Sequence, residues 1–244
     1  MRQSLESFNK SLGRIRAILD DIDLNAAQAL RDPSVRERFE TIRCAMMVTL
    51  SGFFESFMRN TAEEFISDLC ARAIPFDNLP PRVRTTHYAG GAALLQKYAG
   101  KEKNSIPMAE SALIARRLAS VAAMPYELVQ EAFGDTKANP NAALVTDFLG
   151  RFGIEEPRRK LIQSSGISEA GFETNFASFI ALRNECAHTG IAGNVPTGGE
   201  ISDYCDFLGK IATAIIDTLE SHFALPPLAA AVPPPAIAPP QANP

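Results

Sequence analysis

Between Pro33 and Pro75 the chain carries no proline, and Gly52 is the only glycine in that stretch. Phe39, Ile42, Met46, Leu50, Phe53, Phe57, Phe65 and Leu69 recur through it at helical intervals. Side chains so spaced share one face of a 3.6-residue helix, whereas a strand would need alternation. The spacing predicts one helix over about 35–72, which at 1.5 Å per residue would span roughly 55 Å. A rod longer than a compact domain needs must act as a spine, with shorter helices packed along it and room for a second chain. Ser34 is its expected N-cap, with Glu37 placed to close a capping box.

The remainder is compatible with an all-α chain. A first helix is expected over 4–30, where Leu5, Phe8, Leu12, Ile15 and Ile18 recur at threes and fours. Further helices are expected over 89–99, 108–122, 126–134 and 141–152, the last opened by Asn139-Pro140-Asn141. Ser168 should cap the helix that carries Phe172, Phe176 and Phe179. Ile201, Tyr204, Leu208, Ile211, Ile215 and Leu219 mark a final helix over 201–223. Fifteen phenylalanines and no tryptophan suit a dry core between helices, because a phenyl ring has no polar tip to satisfy. The segment 73–107, broken by Pro75, Pro80, Pro81, Gly90, Gly91, Gly100 and Pro107, is the hardest to read.

A net charge of −4 argues against indiscriminate coating of nucleic acid, while leaving room for a local basic cleft. Arg116-Arg117 and Arg158-Arg159-Lys160 are the basic clusters, with Arg82 and Arg84 a looser third. Cys44, Cys70, Cys186 and Cys205 lack metal-ligand or disulfide-framework spacing and fit a reducing cytosol. No cofactor or metal motif occurs: no P-loop, no dinucleotide glycine pattern, no histidine–carboxylate cluster. The N-terminus, Met1-Arg2-Gln3-Ser4-Leu5-Glu6, reads as neither signal peptide nor membrane anchor. The Pro/Ala-rich end reads as a disordered tail over 224–244. The expected organisation is an N-terminal helix over 1–34, a helical domain over 35–223 with accessory helices at 73–165, and that tail.

One position breaks the pattern. Phe172, Phe176 and Phe179 form a stripe, and four residues on, where another apolar side chain is due, stands Arg183. Guanidinium keeps its proton at any accessible pH, so its burial calls for an anionic or carbonyl partner. Two readings stand. Arg183 either reaches the rim or pairs with an acid such as Glu55, Glu64 or Glu185, or it belongs to a site built for phosphate. His87 is expected in a surface loop, and His222 in the last turn of the final helix. Gly190 through Gly199 forms either an ordinary helix link or a mobile loop over the site.

The string Arg183-Asn184-Glu185-Cys186-Ala187-His188, at a helix end and followed by Thr189-Gly190, resembles the signature of HEPN-domain ribonucleases. The likeness is nearest to the branch named for ribosomal-L-PSP-type proteins and its relatives in prokaryotic defence loci. It rests on residues 168–223 and extends to 35–72. The resemblance implies an all-helical bundle and a metal-independent endoribonuclease leaving 2′,3′-cyclic phosphate and 5′-hydroxyl ends. By that likeness Arg183, Asn184 and His188 are the catalytic residues. Arg183 would hold the scissile phosphate, Asn184 would orient His188 or a phosphate oxygen, and His188 would move the proton. The implied partners are RNA, a second copy of the chain, and an antitoxin or modifying protein in a cytoplasmic toxin or abortive-infection system.

Five residues on a regular helix place Arg183 and His188 roughly 140° apart. Either Gly190 ends the helix and lets His188 swing round, or two copies pool their residues across a twofold axis, as the family does. The rival reading is a non-catalytic HEPN-type dimerisation or docking module, in which Arg183 is a structural ion pair and His188 caps the helix.

Overall fold

A computed structural model of the chain describes residues 2–99, 106–122, 124–135, 140–189 and 194–223. The expected 224–244 tail lies outside the described residues. The architecture is all-α, a HEPN-like bundle around one long spine, with no strand among the described residues. The spine is α3 (Pro33–Ala71), flanked by α1 (Arg2–Leu24), the short α2 (Ala26–Ala29), α9 (Glu169–Thr189) and α10 (Gly198–Phe223). Accessory helices α4 (Pro81–Ala99), α5 (Ile106–Ser120), α6 (Glu131–Gly134), α7 (Ala142–Arg151) and α8 (Pro157–Ser165) complete the set.

The spine starts earlier than the capping-box reading placed it. Asp32, not Ser34, is the N-cap: its carboxylate accepts from the Ser34 N–H at 2.9 Å and the Ser34 hydroxyl at 2.8 Å. An anionic acceptor suits the positive end of the helix, and Pro33 at the first position has its φ already set. The 39 residues of α3 span roughly 58 Å.

Three helices bury their stripes against this spine. α1 runs antiparallel to it, with Phe8 against Phe54 and Phe57 at ring separations of 5.8 and 5.2 Å. A hydrogen bond of 3.0 Å between the buried Ser4 and Thr61 hydroxyls lies in the same seam. α9 also runs antiparallel to α3, since Phe176 meets Phe54 at 6.4 Å while Cys186 abuts Cys44 further along. α10 folds back on α9, with Phe207 against Phe176 at 4.9 Å and Tyr204 against Phe179 at 5.4 Å. The side chains of α1, α3, α9 and α10 share one continuous core with those of α4, α6 and α7.

The punctuated segment folds in a way its glycines concealed. Gly90 and Gly91 lie inside α4, not at its edge. A Cβ on Gly90 would sit 2.6 Å from Ala132 Cβ, and one on Gly91 would sit 2.8 Å from Leu118 Cδ2. Close approach of α5 and α6 selects glycine there, so α4 begins at Pro81 and not at 89. The expected 126–134 helix shrinks to α6; Tyr126, just before it, donates from its hydroxyl to the Ile74 carbonyl at 2.7 Å. α8 was not anticipated, although Pro157 at its first turn and Gly166 at its end (φ 67°) are ordinary helix signals.

His87 corrects the loop expectation most sharply. It lies on α4, fully buried, where its Nδ1 accepts from the Val129 N–H at 3.1 Å and its ring meets Phe76 edge-on at 5.6 Å. Burial keeps the imidazole neutral and pushes its pKa from 6.5 down to about 4. The unfolded chain therefore takes up this proton first as pH falls. The group's contribution to stability is complete above about pH 6.5 and is lost progressively towards pH 4, on the order of 3 kcal/mol in all. Urea titrations of wild type and His87→Gln at pH 7 and 4.5 check this: the variant should lose less stability on acidification.

Candidate functional site

Ser168 caps α9 as expected, its hydroxyl accepting from the Gly171 N–H at 3.1 Å. Glu169 and Glu173 in the first turns hold Arg158 of α8 at 3.2 and 2.6 Å. Beyond them Phe172, Phe176 and Phe179 are buried, and the stripe continues to Cys186. Taken at 100° per residue, those four side chains occupy an arc roughly 80° wide, and Arg183 falls inside it.

Arg183 is thus directed towards the core side of α9 and is half-buried. Its Nη1 donates to the Asn184 side-chain oxygen at 3.2 Å, and its Nε is buried without an acceptor. Among the described residues no carboxylate forms an ion pair with it. Glu55, one proposed neutraliser, instead accepts from the Ser51 hydroxyl at 3.3 Å. A guanidinium held by one neutral oxygen in an apolar arc retains most of its demand for an anion.

His188 stands in the last turn of the same helix and is exposed. The helix stays regular through Thr189, so His188 keeps its helical direction, roughly 140° round the axis from Arg183. The fold of one chain therefore does not aim the two side chains at a common point. Asn184, half-buried, lies beside Arg183. Gly190, on which the other arrangement depended, lies outside the described residues.

The motif cysteine is buried in the core. Burial, together with a hydrogen bond to Cys44, pushes the Cys186 thiol up to about 12. Most of the basic-cluster arginines are paired: Arg116 and Arg117 with Glu127 at 3.4 Å, Arg117 also with Glu131 at 2.7 Å, and Arg159 with Glu156. His222, half-buried at the end of α10, has its pKa lowered by burial and then by Lys160. A groove of about 500 Å³ along α4, between Arg82, Lys97 and Arg151, takes no lining residue from α9. Among the described residues no group of three or more His, Cys, Asp or Glu side chains is placed to hold a metal ion. No helix among them is long and apolar enough to cross a membrane.

Sequence reasoning missed two features beside the site. Thr197 and Glu200 form a capping box at the start of α10: the Thr197 hydroxyl accepts from the Glu200 N–H at 3.1 Å, and the Glu200 carboxylate accepts from the Thr197 N–H at 2.8 Å. The Thr-x-x-Glu spacing was legible. Arg43, next to Cys44 on α3, donates from Nη1 to the Pro196 carbonyl at 3.4 Å. It sits one residue off the apolar stripe, so nothing in the periodicity marked it.

An all-helical bundle closed around a spine, with Arg and His at this spacing near the end of its penultimate helix, defines a HEPN-domain protein. A family model described as RiboL-PSP-HEPN matches residues 9–221, from α1 into α10, and the chain belongs to that family. No curated protein and no solved structure matches it.

If Arg183 is kept for an anion and not for the fold, removing its charge should cost no stability. Arg183→Met fills the same arc with an apolar chain, and its stability should equal that of wild type or exceed it by up to about 1 kcal/mol, with a melting temperature no lower. Differential scanning calorimetry checks this; a drop of several degrees would mark Arg183 as structural.

Proposed function

We propose that this HEPN-domain protein is a metal-independent endoribonuclease whose site is Arg183, Asn184 and His188, completed across a homodimer. The observation that carries the reading is Arg183: a half-buried cation within a phenylalanine arc, with a buried Nε lacking an acceptor and no carboxylate pair among the described residues. A scaffold gains nothing from such a residue, whereas a phosphate site requires one.

In this mechanism Arg183 binds the scissile phosphate and stabilises the charge that grows on its oxygens as the 2′-oxygen attacks. A planar fork matches two phosphate oxygens better than a point charge does. His188 takes the proton from the 2′-hydroxyl as the new P–O bond forms. The bond to the 5′-oxygen breaks, and that oxygen accepts a proton from an imidazolium, leaving a 2′,3′-cyclic phosphate and a 5′-hydroxyl. Asn184 holds Arg183 in place. Because one chain's α9 aims Arg183 and His188 apart, two copies of the helix meeting across a twofold axis supply both groups to one cleft. A cytoplasmic toxin or abortive-infection effector, silenced by a partner protein, is the setting this activity fits.

Purified chain incubated with total RNA in EDTA should cut it, and 3′-end analysis should find cyclic phosphate. Arg183→Ala and His188→Ala should each lower the rate by about a hundredfold or more. Mixing the two dead variants should restore part of the activity through heterodimers. Absence of cutting by wild type, with all three chains equally harmless in cells, would favour the docking-module reading.

A further inference from the structure

Among the described residues, five arginines have an Nε that is buried without an acceptor: Arg43, Arg72, Arg84, Arg158 and Arg183. Arg84 and Arg158 nonetheless share their charge with carboxylates, Asp77 at 3.9 Å and Glu173 at 2.6 Å. Arg72 has bonding of its own. Arg43 and Arg183 differ from these. Each makes one hydrogen bond to a neutral oxygen, the Pro196 carbonyl or the Asn184 amide, and neither forms an ion pair among the described residues.

These two residues belong to neighbouring parts of the bundle. α3 and α9 are antiparallel, and Cys44 touches Cys186. Arg43, one residue before Cys44, therefore lies level with the turn of α9 that carries His188, and Arg183 lies about one turn further in. Pro196, the carbonyl that Arg43 holds, stands in the connection leading from His188 to α10. Acids at this end include Glu200, whose carboxylate accepts from the Thr197 N–H at 2.8 Å and forms no ion pair with Arg43 among the described residues, and Asp23 of α1. The Asp23 carboxylate would lie 3.5 Å from a Cβ on Gly198, and it forms no ion pair with Arg43.

We infer that Arg43 is a second phosphate-binding residue of the site, holding a backbone phosphate of the RNA strand beside the one Arg183 engages. This rests on the ribonuclease reading and extends it: the substrate is gripped on two successive turns of the α3–α9 seam, by one arginine from each helix. The hydrogen bond to Pro196 orients the fork while leaving its charge available. Arg43 binds the strand and takes no part in the proton transfers.

The test uses the full chain and a fluorescein-labelled single-stranded RNA of mixed sequence. Binding is measured in the His188→Ala background across a salt series, and cutting is measured in the otherwise wild-type chain with EDTA. Arg43→Gln keeps an amide donor for the Pro196 carbonyl but drops the charge. It should weaken RNA binding by about tenfold, reduce the salt slope by about 0.7 per protomer, and raise KM more than it lowers kcat. Arg43→Lys should recover most of the slope, because the slope reads charge and not loop geometry. Should Arg43→Gln fold poorly, Arg43→Lys with the wild-type slope and a raised Kd still supports the assignment; a wild-type Kd in both variants overturns it. Wild type that cuts RNA and an Arg43→Gln that cuts and binds equally well would remove Arg43 alone. Wild type that neither binds nor cuts would remove the ribonuclease reading, and the assignment of Arg43 with it.

Discussion

The contact between the phenylalanine stripe of α9 and the spine sets the roll of α9, and the roll decides what its polar residues face. Phe176 is the pivot, touching Phe54 of α3 at 6.4 Å and Phe207 of α10 at 4.9 Å. Turning α9 far enough to release Arg183 into water would expose Phe172, Phe176 and Phe179. At about 2 kcal/mol for each phenyl, that is on the order of 6 kcal/mol. A half-buried guanidinium with one hydrogen bond costs less than that, so the rings win. Arg183 stays inward and His188, on the same rigid helix, stays outward. The separation on which the proposed two-protomer site rests is a consequence of core packing.

The charge pattern follows the same logic. Several arginines of this acidic chain pair with acids on other parts of the bundle, as Arg158 does with Glu169 and Glu173, or Arg117 with Glu127 and Glu131. Such pairs orient neighbouring helices while adding little stability. Against that background, Arg43 on α3 and Arg183 on α9 each bond a neutral oxygen and form no ion pair among the described residues. The chain as a whole carries a net charge of −4, which disfavours indiscriminate binding of nucleic acid.

The fold was legible wherever a stripe was long and unbroken. α1, α3, α9 and α10 could be read from apolar spacing alone, because each carries an unbroken apolar stripe into the shared core. The accessory helices were harder for an identifiable reason. Gly90 and Gly91 are signs of close packing by Ala132 and Leu118, yet in one dimension they look like chain breaks. His87, a core residue bonded to the Val129 N–H, looked like a loop histidine because its segment did. For the site, Arg183 announced itself by violating a period, and its missing carboxylate needed three dimensions. Arg43 violated nothing, since its meaning comes from Cys44 meeting Cys186 across two helices distant in sequence.

The Ser4–Thr61 hydrogen bond carries a consequence for alignment. The seam between α1 and α3 is otherwise lined by phenyl, leucyl and isoleucyl groups, which a slip of one helical turn, about 5.4 Å, would exchange for close equivalents. Two hydroxyls closed off from water resist such an exchange, because a slip would break their mutual hydrogen bond in a dry interface. This short contact at one end of the seam therefore acts as a ruler for the other end. There Asp23 reaches Gly198, and the start of α10 is set relative to the turn that bears His188.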